Sequence, residues 1–180
     1  EQIQGALTET SVLYRTSRSL IAQEHLSDVL QTVVDGVIEA LPADRATVIT
    51  FDLKRREVTN FFKGGPGADQ VISTPFQELW EGLSGWVLRE MKPVLSPKGE
   101  PDPRESPAAQ ERREATNCGS IIVVPLLYRD KALGTMTAIN RPDQRDFTER
   151  DVNLMMAFAN QAAAALENAR LIDESQRRVN

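Results

Sequence analysis

Few side chains in this chain could carry out covalent or acid–base chemistry. Cys118 is its only cysteine and His25 is its only histidine. A lone cysteine cannot form an internal disulfide or a cysteine-based zinc site, and a lone histidine argues against imidazole metal clusters and a Ser-His-Asp triad. Cys118 precedes an apolar strand and has no lysine or histidine beside it, so we expect a small buried thiol rather than a reactive one. The sequence therefore predicts no catalytic residue and no metal-binding residue.

The charge and the hydropathy of the chain argue against two classes of partner. The formal net charge is -5 and the basic residues are scattered, so no surface for nucleic-acid phosphates is predicted. The longest apolar run, Ser120–Leu127, is far shorter than the roughly 20 residues of a membrane helix, and we expect no membrane contact. A single free cysteine suits a reducing cytosol, which predicts a cytoplasmic location. Because the chain begins at Glu1 without a methionine, we expect it to be a segment of a longer protein.

The first part of the chain has the three- and four-residue apolar spacing of helices. The stripe over Leu26–Leu41 predicts a helix that stops near Pro42. The stretch ahead of it is more polar and has Leu13 and Leu20 a heptad apart, which predicts a separate N-terminal signalling helix over residues 1–25.

The last segment gives the strongest helix signal. Thr148 and Asp151 have the spacing of a capping box, and the helix continues for about 30 residues, or about 45 Å. A domain of this size is only about 30–35 Å across, so we expect residues 172–180 to overhang as a coiled-coil continuation. The apolar spacing predicts a seam against a second chain, although alanine is also simply a good helix former. With Leu13 and Leu20, the predicted dimer seam comprises Met155, Phe158, Ala162, Ala165, Ala169 and Ile172.

Strand signals fill the middle of the chain. "ATVITFD" and "EVTNFF" predict a hairpin, and "SIIVVPLLYRDKALGTMTAIN" predicts a second hairpin whose strands are buried on both faces. Between them, "GLSGWVLREM" predicts a short helix and "KPVLS" a brief strand. The proline-rich stretch Ser96–Asn117 predicts a long surface loop, either a lid or a plain excursion, with a short charged helix over Ala108–Ala115.

These segments, in this order, resemble the GAF domain family. The resemblance covers roughly Leu26–Leu171 and depends most on "VPL" in the second hairpin and on "FTERDVNLMMAFANQAAAALENARL" in the last helix. It implies an α+β, GAF-like (profilin-like) fold over residues 26–171. In that fold a central antiparallel sheet of five to six strands has N- and C-terminal helices packed on one face and a pocket on the other. It also implies a sensory role upstream of an output domain.

Several specialised members of the family differ from this sequence. Bilin-binding members attach the pigment through a cysteine with a histidine beside it, whereas Gly119 follows Cys118 and His25 is distant. Haem-binding members need a histidine near the pocket. Free methionine sulfoxide reductases of this fold use several cysteines, and the Asn-Lys-Phe-Asp-Glu motif of cyclic-nucleotide members is absent here. Haem and covalent bilin are therefore disfavoured, and the cofactor is left unassigned.

Five residues are candidates for ligand binding on the pocket side of the sheet. Trp80 and Trp86 flank Ser84 and could form an aromatic wall, or they could be ordinary core residues. Phe51 and Thr137 lie on strands that line the pocket in the family. A hydroxyl in a central strand needs a partner, which for Thr137 could be the backbone or a ligand.

The sequence thus predicts a non-enzymatic sensor module. It would bind an unknown small molecule, form a homodimer through its terminal helices and pass the signal to an output domain in the same polypeptide, most simply a histidine kinase of a two-component system. Two alternatives stay open: a ligand-free dimerisation module, and an enzyme resembling the free methionine sulfoxide reductases.

Overall fold

The computed structural model describes the backbone of residues 2–178 and the side chains of residues 17–175 apart from residue 19. The elements, in chain order, are α1 (Gln2–Ala40), β1 (Arg45–Asp52), β2 (Glu57–Gly64), a 3-10 turn (Ala68–Gln70), α2 (Phe76–Trp80), α3 (Leu83–Glu90), β3 (Val94–Ser96), α4 (Pro107–Ala115), β4 (Ile121–Tyr128), β5 (Lys131–Ile139) and α5 (Glu149–Arg178). The two predicted hairpins and the short helix before β4 are confirmed.

The five strands form one antiparallel sheet in the order β2-β1-β5-β4-β3. The predicted α+β fold is therefore confirmed. The β4–β5 hairpin closes through Arg129 and Asp130, and Arg129 has a φ of 55°, as tight hairpin turns require. The first six residues of β4 are all buried, which confirms that both faces of this strand are covered, whereas β5 is buried less completely.

One face of the sheet packs against α1 and α5, which also contact each other. Strand residues on this face alternate with those on the opposite face, as the pleat requires. The main core comprises, among others, Leu30, Val34 and Val37 of α1, Val48 of β1, Ile122, Val124 and Leu126 of β4, Met136 and Ala138 of β5, and Met155, Ala159 and Ala162 of α5. A helix layer thus covers one side of the sheet and leaves the other side for a different layer.

The long N-terminal helix differs from the prediction. Residues 2–40 form one uninterrupted helix of 39 residues, so the separate helix predicted over residues 1–25 is wrong. The change from a polar to an apolar pattern near residue 26 marks where α1 reaches the sheet. Leu20 and Ile21 lie before that point and are 60% and 65% exposed, whereas Leu26 is buried.

The start of α5 is fixed by the predicted capping pair. The Asp151 carboxylate accepts hydrogen bonds from the Thr148 backbone N–H at 2.8 Å and from the Arg145 guanidinium at 2.9 Å. Burial alone would raise the pKa of Asp151, but the donors from Arg145 and Thr148 outweigh it and hold the pKa below its usual value.

The predicted dimer seam on α5 needs a revision. Met155, Ala162 and Ala169 are buried inside the core of the same chain, and Phe158 and Ala165 pack against that core. The apolar spacing on α5 requires a second helix to pack against, and that helix is largely α1 of the same chain. Met155, Ala162 and Ala169 therefore have no surface left for a second chain. Ile172 is half-buried, and the side chain of Leu13 lies outside the described residues.

None of the described helices combines the length and the apolar character that a membrane-spanning segment requires.

Candidate functional site

A cavity of about 140 Å³ lies on the face of the sheet opposite α1 and α5. Strands β1, β4 and β5 form its floor, and α2, α3, α4 and the segment between β2 and α2 form its walls. Its apolar lining comprises Ile49, Phe61, Val71, Ile72, Leu79, Leu83, Ala109, Ile121, Val123 and Ile139. Such a mixture of a mostly apolar lining and a few polar groups is typical of small-molecule sites.

Five hydroxyl groups of the described residues line this cavity, and two of them, those of Thr74 and Thr116, donate to backbone carbonyls. The other three belong to Thr47, Ser84 and Thr137. Thr47 of β1 and Thr137 of β5 are directly paired across the floor, and Ser84 lies in the first turn of α3. Thr47 and Ser84 are only 6% and 8% exposed. Within the described part of the chain no hydrogen bond is found for these three hydroxyls, and their oxygens open onto the cavity. Among the described residues, the one fully buried side-chain oxygen without a partner is that of Thr135, which is not a cavity residue.

A buried arginine lies at the end of the cavity where β1 begins. Arg45 is 2% exposed, and its Nη1 donates to the Asp44 carboxylate at 2.9 Å. Its Nη2 donates to the Thr116 carbonyl at 2.9 Å and to the Cys118 sulfur at 3.0 Å. Asp44 is shared, because Arg141 also binds it at 3.2 Å. Cys118 therefore lines the cavity beside a guanidinium and is half-buried, so the prediction that this thiol is buried is wrong.

The proline-rich loop forms one wall of the cavity through α4. Ser106 caps this helix by accepting from the backbone N–H of Ala109 at 3.2 Å. Arg113 then ties α4 to its surroundings, donating to Glu105 at 2.8 Å, to the Ser96 hydroxyl at 2.7 Å and to the Gly119 carbonyl at 3.0 Å. The segment predicted as a lid or an excursion is thus a hydrogen-bonded wall.

An ion pair holds the loop in shape ahead of α4. Asp102 is 5% exposed and accepts from Arg104 at 2.8 and 2.6 Å. The hydrogen bonds from Arg104 hold the pKa of Asp102 well below its usual range, against the opposing effect of burial. Asp102 is thus charged at neutral pH and belongs to the support of the cavity wall.

The structure brings two of the five predicted ligand residues to the cavity. Ser84 and Thr137 line it, whereas Phe51, Trp80 and Trp86 do not. The predicted aromatic wall is therefore wrong for this cavity.

Each aromatic side chain has another partner. Trp80 stacks on Phe76 with ring centroids 5.8 Å apart, and Phe51 meets the edge of Phe76 at 5.7 Å. Trp86 packs beside the small core under α3 and has the Arg104 guanidinium 5.4 Å from its ring. Packing within the chain accounts for all of them.

Sequence reasoning missed Arg45, Thr47 and Cys118 as cavity residues. The position of Thr47 could have been predicted, because it lies two residues before Ile49 on a strand of the predicted pocket floor and so shares a face with it. His25 is exposed on α1, the helix layer across the sheet from the cavity. Among the described residues no group of three His, Cys, Asp or Glu side chains could hold a metal ion.

Known proteins share the fold of this chain. A family model described as GAF domain matches residues 25–166. No curated protein matches the chain. Solved structures that share its fold include the GAF-B domain of DevS from Mycobacterium smegmatis, with 22% identity, 86% of this chain and 99% of that chain covered, and a TM-score of 0.60. Another is the GAF domain/HD domain protein from Geobacter sulfurreducens, with 16% identity, 81% of this chain and 94% of that chain covered, and a TM-score of 0.64. A third is the GAF domain of an Acinetobacter phosphoenolpyruvate-protein phosphotransferase, with 18% identity, 89% of this chain and 98% of that chain covered, and a TM-score of 0.61.

Proposed function

Because the chain belongs to the GAF domain family, whose members are sensory and regulatory modules of signalling proteins, we propose that it is a small-molecule sensor. A ligand would bind in the cavity between the sheet and α2–α4, and the helices α1 and α5 would pass the signal on. Domains of this family are generally regulatory rather than catalytic, and we propose no reaction for this chain.

The observation that carries this proposal is the set of unpartnered hydroxyls in the cavity. Thr47, Ser84 and Thr137 come from three different elements and face the same space. Their oxygens open onto the cavity and are not sealed in the core, so they are free to pair with a ligand. Each such hydrogen bond would contribute about 0.5–1.5 kcal/mol to binding.

The middle strands provide a direct connection from the cavity to the helices. Thr137 lines the cavity, while its neighbours Met136 and Ala138 on β5 are fully buried in the core that includes α1 and α5. A ligand that moves the floor of the cavity therefore moves residues against which both helices pack. Coupling of about 1–3 kcal/mol between two sites is typical of such systems.

We further propose that the signal leaves through a homodimer. Domains of this family often sit in multidomain proteins and dimerise. The helix pair exposes large apolar side chains at Leu20 and Ile21 of α1 and at Leu154 and Leu171 of α5. These residues, with Ile172, would form the contact between two chains, and the output domain would be a histidine kinase in the same polypeptide.

The ligand proposal is tested by a metabolite screen that combines native mass spectrometry with thermal unfolding. We expect at least one compound to stay bound and to raise the melting temperature, because a ligand that binds only the folded state stabilises it. Thr137→Met should abolish the shift by filling the cavity, whereas the same substitution at exposed Thr32 of α1 should leave it intact. A shift that survives in Thr137→Met would mean that the ligand binds elsewhere. A screen without any binder would favour a ligand-free dimerisation module.

The dimer is tested by a charge in the proposed contact. Leu171→Glu should shift the sedimentation of the protein from dimer to monomer at micromolar concentration, because it places two carboxylates in an apolar interface. Leu53→Glu is the matched control, since Leu53 has a similar exposure, 45% against 46%, and lies in the β1–β2 turn. A Leu171→Glu protein that sediments as the unmodified dimer would refute this contact.

A further inference from the structure

We propose that the ligand is a compact organic anion whose charged group binds the guanidinium of Arg45 in place of the Cys118 sulfur. This inference rests on the proposed sensor function and adds the chemical class of the ligand and its orientation in the cavity.

The guanidinium of Arg45 has one weak acceptor among its hydrogen-bond partners. An arginine side chain has five N–H bonds. In the described part of the chain three of them have acceptors, namely the Asp44 carboxylate, the Thr116 carbonyl and the Cys118 sulfur. The third acceptor is a thiol sulfur, which is a weak one. A carboxylate or another oxyanion at this place would form charge-assisted hydrogen bonds, which are about twice as strong as neutral ones.

The charges around the cavity favour an anion. Asp44 pairs with both Arg45 and Arg141, and Asp143 is a further partner of Arg141 at 3.1 Å. The described lining itself has three arginines, namely Arg45, Arg112 and Arg113. Glu105 is the one acidic residue among the lining residues, and Arg113 binds it at 2.8 Å. The described lining therefore offers a cationic donor without offering an unpaired carboxylate that would repel an anion.

The hydroxyls supply a second, independent observation. Arg45 and Thr47 are two residues apart on β1 and therefore lie on the same face of the sheet. Thr137 of β5 is the direct partner of Thr47. Thr47 is 6% exposed, no hydrogen bond is found for its hydroxyl among the described residues, and its oxygen opens onto the cavity. An anion beside Arg45 lies next to this pair of hydroxyls, both of which can donate to its remaining lone pairs.

The size and the remaining lining define the rest of the ligand. A cavity of about 140 Å³ compares with the 150 Å³ apolar cavity that accommodates benzene. Ile49, Val123 and Leu83 provide apolar contacts for a body of that size. One small ring or a short branched chain with a single negative charge therefore fits.

Matched pairs of a carboxylate and its neutral amide test this inference. We expect benzoate or a short-chain carboxylate to raise the melting temperature at millimolar concentration, and benzamide or the corresponding amide to bind at least tenfold more weakly by calorimetry. Binding of the carboxylate should also slow the reaction of Cys118, the only thiol of the chain, with an aromatic disulfide reagent. Equal binding of amide and carboxylate, or no binding by any carboxylate of the panel, would overturn the proposal.

Two variants locate the anion. Arg45→Lys should weaken benzoate binding about tenfold and leave benzamide binding unchanged, because lysine keeps the charge and loses the planar donor fork. If Arg45→Lys does not fold, Thr47→Val serves instead and should weaken benzoate binding by about threefold to tenfold. Unchanged benzoate binding in either folded variant would contradict an anion at Arg45. If only neutral compounds from the wider screen bind, the inference fails while the sensor function stands, and if nothing binds, both fail.

Discussion

Arg45→Met is expected to lower the free energy of unfolding by about 3–5 kcal/mol, as is usual when one partner of a buried ion pair is removed. Arg45 is among the largest fully buried side chains of the described chain. Its loss leaves the Asp44 carboxylate, 5% exposed, with only the partly exposed Arg141 as its cationic partner. It also leaves the carbonyl of Thr116 without its guanidinium donor.

The measurement is urea denaturation of the full chain, with Arg55→Met as the matched control. Arg55 is 77% exposed and lies 3.9 Å from Asp52, so its replacement should change the stability by less than about 1 kcal/mol. Since domains of this kind are stable by about 5–15 kcal/mol, a loss of 3–5 kcal/mol shifts the midpoint clearly. Equal, small effects of the two substitutions would show that the Asp44–Arg45–Arg141 cluster contributes little to the fold.

Gly85→Ala is expected to cost about 3 kcal/mol or more, although alanine is the better helix former by about 1 kcal/mol. A Cβ atom at residue 85 would lie 1.7 Å from the carbonyl oxygen of Trp80 and 2.4 Å from its carbonyl carbon. Both are backbone atoms at the end of α2, so α2 and α3 must separate to admit the methyl group. The displacement would also move Ser84 and Leu83, which line the cavity.

Gly82→Ala is the control in the same segment. The nearest atom to a Cβ at residue 82 lies at 3.6 Å, an ordinary contact, and we expect a loss of no more than about 1 kcal/mol for replacing glycine at a helix N-cap. Thermal unfolding of the two variants side by side makes the comparison. Similar melting temperatures for Gly85→Ala and Gly82→Ala would contradict the close approach of α2 and α3.

The fold could be predicted because its signals are local. The apolar stripe of α1, the strand runs and the Thr148–Asp151 capping pair each lie within a few residues, and the order of these segments identifies the family. The same reasoning could not say against what a helix packs. The spacing of Met155 and Ala162 shows only that one face of α5 is buried, and the structure shows that α1 and the sheet cover it.

The cavity was harder to predict because its polar groups meet across long sequence separations. Arg45 is 71 residues from Thr116 and 73 residues from Cys118. No pattern around Arg45 distinguishes it from a surface arginine. Trp80 and Trp86 were wrongly predicted to line the cavity. Two large aromatic side chains close together in the sequence suggest a ligand site, but both pack against side chains of nearby segments. Thr137 was predicted correctly to line the cavity because its strand is recognisable as the floor.

The uninterrupted course of α1 has a geometric consequence. The 39 residues of this helix extend over about 58 Å. With 3.6 residues per turn, the direction in which exposed Leu20 points is fixed relative to that of buried Val34. A rotation of the part that packs on the sheet turns Leu20 and Ile21 through the same angle, so this end of the domain transmits torsion. Inserting one residue between the two parts would turn the exposed pair by about 100° and leave the packing on the sheet unchanged.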